Sequence, residues 1–329
     1  MGHVMHWAGR LWLVSCLLSG PLFGSVAALA QSFPSRTVTI IVNSNPGALT
    51  DVLARAFGQR LSQLWNQNVV IENKPGGAYA IAATAVTMAP PDGHTLLATE
   101  NGMFTIQPNL SRSRAYRATD FAPVANFARI AMALFAHPSV PVKSTAELIA
   151  LAKQKPETIS YGTAGVGTAP HMAALSLERM AGVKLTPVHY RGMPLAMNDV
   201  IGGHINTLTT GPSALLPAWR DGKVTMLSIG SPQRLPQLAN IPTTAETVPG
   251  YEASVSFGLY TLAATPPAII AKINTDVQQI MRDPAFQERI FHPQLLEAMG
   301  GPPEAFAREI EAEMQKWGKV IEDAKLKVE

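Results

Sequence analysis

Val38-Thr-Ile-Ile-Val42 is β-branched and apolar on both faces, as a strand buried inside a parallel sheet must be. A Pro-Gly turn follows, and Thr50-Asp51 stand where a helix start would be capped. From there Leu53, Phe57, Leu61 and Leu64 recur at helical spacing as far as Trp65, where Asn66-Gln67-Asn68 break the pattern. Val69-Val-Ile71 reads as a second strand, Ala78–Met88 as a helix, Pro90-Pro-Asp-Gly93 as a turn and Thr95-Leu-Leu-Ala98 as a third strand. Strands alternating with helices predict an α/β unit on a parallel sheet.

The alternation resumes after residue 120. Ile130–Ala136 is strand-like, and Ser144 caps a helix that runs through Lys153. Ile159-Ser-Tyr161 is a strand, followed by a Gly-rich loop and a helix through Met180. Pro187–Tyr190, Ile205–Thr209 and Val224–Ile229 read as strands, with helices over Met193–Ile201 and Pro212–Arg220 between them. Ser256–Ala263 returns as a strand. In the tail Phe306, Ile310, Met314, Trp317 and Ile321 form one helical stripe, and Glu309, Glu313, Lys316 and Lys319 lie off it. This order predicts two α/β domains, residues 31–130 plus 250–329 and residues 131–249. The chain then crosses between them twice and leaves a hinged cleft, where ligand pockets preferentially form.

Length agrees with two domains, since 329 residues exceed what one hydrophobic core usually fills. The 26 Lys+Arg against 23 Asp+Glu are dispersed, which argues against nucleic-acid binding. Residues 1–30 carry no acidic side chain, one Arg (Arg10), an apolar run from Leu11 and the small-residue ending Ala28-Leu29-Ala30. They read as a secretory signal cut between Ala30 and Gln31, which makes the periplasm the expected compartment. A membrane anchor is the other reading, but Gly20-Pro21 and Gly24-Ser25 interrupt the run. Cleavage removes the single cysteine, Cys16, so the mature chain can form no disulfide and no Cys-rich metal site. No later stretch approaches the 18 or so apolar residues of a membrane span, so the mature chain is expected to be soluble; it is also expected to be a monomer.

No Gly-x-Ser-x-Gly elbow, His-Glu-x-x-His helix or P-loop is present, and the histidines show no metal-ligand spacing. Neither a cofactor nor a metal is expected. Gly162-x-x-Gly165-x-Gly167 has the wrong spacing for a dinucleotide fingerprint. What remains is a pair of loops, Asn43–Asp51 and Gly162–His171, each running from a strand into a helix start. Such loops offer backbone N–H groups and a helix dipole to an anion. Either loop alone is a tight turn; two on facing domains would clamp a carboxylate. A helix end contributes about 0.3–2 kcal/mol to an anion, and micromolar affinity needs about 8, so the ligand must be enveloped by both domains.

The segments Phe33-Pro-Ser-Arg36, Pro46-Gly47-x-x-Thr50-Asp51, Val70-Ile-Glu-Asn-Lys-Pro-Gly76 and Pro91-Asp-Gly-His-Thr-Leu-Leu97 occur in that order. Tyr161-Gly-Thr-Ala-Gly-x-Gly167, His189-Tyr-Arg-Gly192, Gly202-Gly203, Pro242-Thr-x-x-Glu246 and Lys316-Trp-Gly-Lys319 continue the series. Together they resemble the extracytoplasmic solute-binding proteins of tripartite tricarboxylate transporters, the Bug family. The resemblance implies a type II periplasmic-binding-protein fold with two crossovers. It implies capture of a small carboxylated metabolite and delivery to membrane permease subunits, without covalent chemistry. Carried onto matching positions, it nominates Pro46, Gly47, Thr50 and Asp51, with Gly162, Thr163, Ala164, Gly165, Gly167 and Thr168, as ligand-holding residues.

The chain departs from the family at several of these places. Ala48 replaces a second Gly, Asn43 and Asn45 stand where apolar or Pro residues are common, and Ala78-Tyr79-Ala80 replaces Gly-Gly-Asn. Asp51 fits a cap that orders its loop or a ligand contact. Tyr79 fits an aromatic wall or a loop tyrosine packed on its own domain. His171 fits a carboxylate donor or an exposed position, and Arg191 a bidentate carboxylate pair or a surface salt bridge. Glu100-Asn101 could meet an amine or hydroxyl, and Gly211 completes the candidate set. The output could be transport, presentation of the loaded receptor to a membrane sensor kinase, or an exported hydrolase with an unrecognised site. The ligand could be an aromatic carboxylate, an amino acid or a citrate-like acid.

Overall fold

Eleven strands and eleven α-helices are found in the computed structural model, which describes residues 33–110 and 115–326. The expected signal segment, Cys16 and the cut between Ala30 and Gln31 lie outside the described residues. The strands are β1 (Val38–Val42), β2 (Val69–Asn73), β3 (Thr95–Glu100), β4 (Phe121–Ala131), β5 (Ala133–Ala136) and β6 (Ser160–Thr163). They continue as β7 (Thr186–His189), β8 (Thr207–Thr210), β9 (Thr225–Ile229), β10 (Ser254–Leu262) and β11 (Leu296–Ala298). The helices are α1 (Leu49–Trp65), α2 (Ala80–Thr87), α3 (Gly102–Thr105), α4 (Gln107–Leu110), α5 (Thr145–Gln154) and α6 (Ala169–Ala181). After them come α7 (Met193–Gly202), α8 (Pro212–Arg220), α9 (Pro267–Met281), α10 (Pro284–Phe286) and α11 (Pro303–Asp323).

The strands form two sheets, ordered β11-β4-β10-β3-β1-β2 and β7-β6-β8-β5-β9. Both are mixed, where the alternation predicted parallel ones. In the first, β1 pairs parallel with β2 and β3, and β10 and β11 run antiparallel to their neighbours. In the second, β6 pairs parallel with β7 and β8, and β5 runs antiparallel to β8 and β9. The long strand β4 went unread upstream of Ile130, because Pro123 and Asn126 interrupt its apolar pattern.

The segment read as one strand over Ile130–Ala136 is two, broken at Met132. Its N–H donates to Ala253 O at 3.0 Å, and its carbonyl accepts from Gly230 N at 2.7 Å. The outgoing crossing at Met132 and the returning crossing at Gly230 and Ala253 are therefore stitched together. Gly230 has no room for a side chain there, since a Cβ would stand 2.5 Å from Ala253 O.

α1 is amphipathic, burying Leu53, Phe57 and Leu61 of the predicted stripe, but Leu64 is exposed, Ala48 is the N-cap, and Thr50 and Asp51 lie within the first turn. Ser144 does cap α5, accepting from Glu147 N at 3.2 Å. α2 starts at Ala80, two residues later than expected, because residues 76–79 form a turn of their own with positive φ throughout. α11 buries Phe306, Trp317, Val320 and Ile321. Its off-stripe acids are not simply solvated. Glu309 accepts from Asn126 Nδ2 at 3.0 Å and Ser256 Oγ at 2.8 Å, and Glu313 accepts from Asn101 Nδ2. Among the described residues no helix is long and apolar enough to cross a membrane.

Candidate functional site

A cavity of about 760 Å³ is lined by the loops that follow β1, β3, β6 and β8 and by both crossings. Its size falls within the range of small-molecule sites. Strands from both sheets thus deliver their C-terminal ends to one space.

In the first loop, Gly47 takes φ +83°, a left-handed conformation that costs a glycine nothing. Ala48 then sits at φ −68°, ψ 158°, ordinary for alanine, so a second glycine is not needed there. Asp51 is 2 % exposed and orders this loop from inside the helix. Its Oδ2 accepts from Gly47 N at 2.9 Å and Arg55 Nε at 3.0 Å, and its Oδ1 accepts from Asn73 Nδ2 at 2.8 Å. Burial pushes its pKa up, but these hydrogen bonds outweigh burial and hold it below the ordinary value. The N–H groups of Leu49, Thr50 and Asp51 have no acceptor among the described residues. Leu49 and Thr50 line the cavity; Asn45, Pro46, Gly47 and Asp51 do not.

In the second loop, Gly165 and Gly167 take φ +128° and +73°. Gly165 N donates to Thr163 Oγ1 at 3.1 Å, and Thr168 Oγ1 donates to Gly165 O at 2.8 Å. Gly167 N donates to His171 Nδ1 at 3.0 Å. His171 is buried, contrary to the exposed reading, and packs against Tyr161 and His189. Burial first, and His189 second, lower its pKa to about 4, so it is neutral at pH 7 with Nδ1 as acceptor. Ala169 N–H has no acceptor among the described residues and its residue lines the cavity. Gly162, Thr163 and His171 support the loop from behind without lining the cavity. Arg191 is exposed, lies off the cavity and makes no ion pair among the described residues.

The cavity wall therefore contains Asn43, Ala48, Thr50, Tyr79, Asn101, Ala164, Gly165, Gly167, Thr168 and Gly211 of the sequence-derived set. It also contains residues that local pattern did not mark, including Trp317, Phe257, Met132, Ser254, Ser213 and Gln294. Ser213 was within reach of the same argument, since β8 also feeds a helix through Gly211-Pro212. Gln294 carries no local signal. Glu100 is the one charged side chain in this wall among the described residues, and Tyr79 Oη donates to its Oε1 at 2.7 Å. Burial raises the pKa of both, and for Tyr79 the nearby Glu100 adds to it. No group of three His, Cys, Asp or Glu among the described residues could hold a metal ion.

Residues 53–326 match the profile described as tripartite tricarboxylate transporter family receptor. Protein BugT of Bordetella pertussis (strain Tohama I) is 27% identical over 303 residues, 91% of this chain and 93% of that one. The solved structure of R. palustris Rpa4515 with adipate is 32% identical, with TM-score 0.80, covering 90% of this chain and 100% of that one. MatC (Rpa3494) from Rhodopseudomonas palustris with bound malate is 28% identical, with TM-score 0.75, covering 88% and 100%.

Proposed function

Because this chain belongs to the tripartite tricarboxylate transporter receptor family, we propose that it captures a small organic acid in the cavity and hands it to membrane permease subunits. The family is one of periplasmic substrate-binding receptors, not enzymes. In this reading residues 1–30 are the cleaved export signal. Residues 31–130 plus 250–329 and residues 131–249 move as two domains about the stitched crossings at Met132 and Gly230.

One observation carries the reading: two strand-to-helix loops, from different sheets, line one cavity with unpartnered helix-start amides. Leu49 and Thr50 offer theirs from α1, and Ala169 from α6. A carboxylate satisfies such amides and meets the positive ends of both helices. Trp317, Phe257, Val255 and Ile130 give the same space apolar walls, which strengthen those hydrogen bonds by excluding water. The dicarboxylates named with Rpa4515 and MatC agree with an acid as the occupant.

Melting of ligand-stripped protein against mono-, di- and tricarboxylates tests this. A true ligand at a hundred times its Kd adds about 2.7 kcal/mol of stability. No shift with any acid would overturn the reading. Co-purification with the permease subunits in the presence of that acid tests delivery.

A further inference from the structure

Residues 76–79 hold four successive positive φ angles: Gly76 at +105°, Gly77 at +59°, Ala78 at +46° and Tyr79 at +76°. Ala78 and Tyr79 each have a Cβ, so this backbone is costly, and such cost persists only where surrounding contacts hold it. The contact here is the 2.7 Å hydrogen bond from the Tyr79 hydroxyl to Glu100 at the end of β3. The hydroxyl also lies near Gly102, where a Cβ would come 3.6 Å from it. Both side chains line the cavity. One Tyr hydrogen bond leaves most of the acceptor capacity of a carboxylate unused.

The opposite charge is lacking. Among the described residues no Lys, Arg or His lines the cavity, and Glu100 is the one charged group in its wall. A ligand held by one carboxylate on the loop amides turns its remaining groups towards that wall. A second carboxylate would find no cation there and would face Glu100. An ammonium group would find a carboxylate already oriented by Tyr79. Asn43 Oδ1, also on the wall, is buried without a hydrogen-bond partner and likewise asks for a donor.

We infer that Glu100, oriented by Tyr79, is a specificity-determining residue that selects acids carrying an ammonium group over diacids. The inference rests on the carboxylate-receptor reading above and adds the ligand's second recognition group. Like charges facing each other in a confined site discriminate by repulsion as well as by attraction to the right partner.

The test is calorimetric titration of ligand-stripped protein with straight-chain acids of four to six carbons. Each length is supplied as the monoacid, the α,ω-diacid, the 2-amino acid and the ω-amino acid. At least one amino acid should bind about tenfold or more tighter than its monoacid and diacid, the scale of a hydrogen bond to a charged group. Glu100→Gln should abolish most of that preference, and a thermal melt of the ligand-stripped variant reports that it is folded. Tyr79→Phe frees Glu100 to turn and should weaken the preference without removing it. Diacids binding as tightly as amino acids, or an amine preference unchanged in Glu100→Gln and Tyr79→Phe, would overturn the inference alone. Failure of every acid to bind would overturn the carboxylate reading and this inference with it.

Discussion

His171 holds the second loop from four residues downstream: the Gly167 N–H donates to its Nδ1 at 3.0 Å, within a pocket closed by Tyr161 and His189. Nδ1 accepts only while the ring is neutral. The fold depresses this pKa from 6.5 to about 4, by burial and by His189. The stability that follows is fully present above pH 6.5 and is lost as pH falls towards 4.

Acid-induced loss of binding is the first expectation. Acid affinity should collapse as pH drops through about 4, when the loop loses its acceptor. His171→Leu should show the same defect at pH 7, with about 1–3 kcal/mol lost from an unpaired buried N–H. Titration at both pH values checks it; undiminished binding by the variant at pH 7 would exclude the role.

Asp51 should matter for stability although it lies off the cavity. Asp51→Ala leaves Gly47 N–H, Asn73 Nδ2 and Arg55 without their shared acceptor. Urea unfolding should register a loss of about 2–3 kcal/mol, accompanied by weaker acid binding as the first loop relaxes. Wild-type unfolding would show that the network is dispensable.

The loop glycines should separate by mechanism. A Cβ at Gly47 meets nothing within 4 Å, and one at Gly165 comes no nearer than 4.0 Å to Thr168 Cγ2. Both glycines serve their positive φ rather than close approach. Gly47→Ala should therefore cost only about 1–2 kcal/mol of backbone strain. At Gly167 a Cβ would stand 2.0 Å from Leu110 Cδ1, with φ at +73° besides. Gly167→Ala should lose a further 1–3 kcal/mol or so from overpacking, and shift Leu110 beside the cavity. Thermal melts of the two variants decide.

Glu313 should give the stability curve a slope of opposite sign. Burial is the main cause that raises its pKa from 4.5 to about 7, with Lys316 and Arg129 pulling down and Glu309 and Glu252 pushing up. The folded state therefore keeps a proton that the unfolded chain releases, so stability falls as pH rises from 4.5 to about 7. The fall is at most on the order of 3 kcal/mol. Glu313→Gln can still accept from Asn101 Nδ2 and should flatten that window. Urea midpoints at pH 5 and 7.5 measure it; an unchanged slope would exclude Glu313 as the source.

Periodicity found most of the strands and helices because each is an apolar face repeating at its own period. It failed where tertiary contacts, not local pattern, set the structure. The break at Met132 exists because its backbone bonds to Gly230 and Ala253, about a hundred or more residues downstream, once the chain has returned from the second sheet. The polar edge of α11 reads as solvent-facing until β4 and β10 supply Asn126 and Ser256 to meet Glu309.

The same division holds at the site. The sequence alone determined the two glycine-bearing loops, because a strand that must turn at once into a helix needs positive φ and leaves amides unpaired. It also determined the family, through motifs spread along nearly the whole chain. Only the tertiary structure decided which loop residues face the cavity and which, like Asp51 and His171, brace it from behind, since one hydrogen-bond inventory serves both roles. It alone brought Tyr79 onto Glu100, 21 residues apart, because the register of neighbouring strands and a strained turn set that contact.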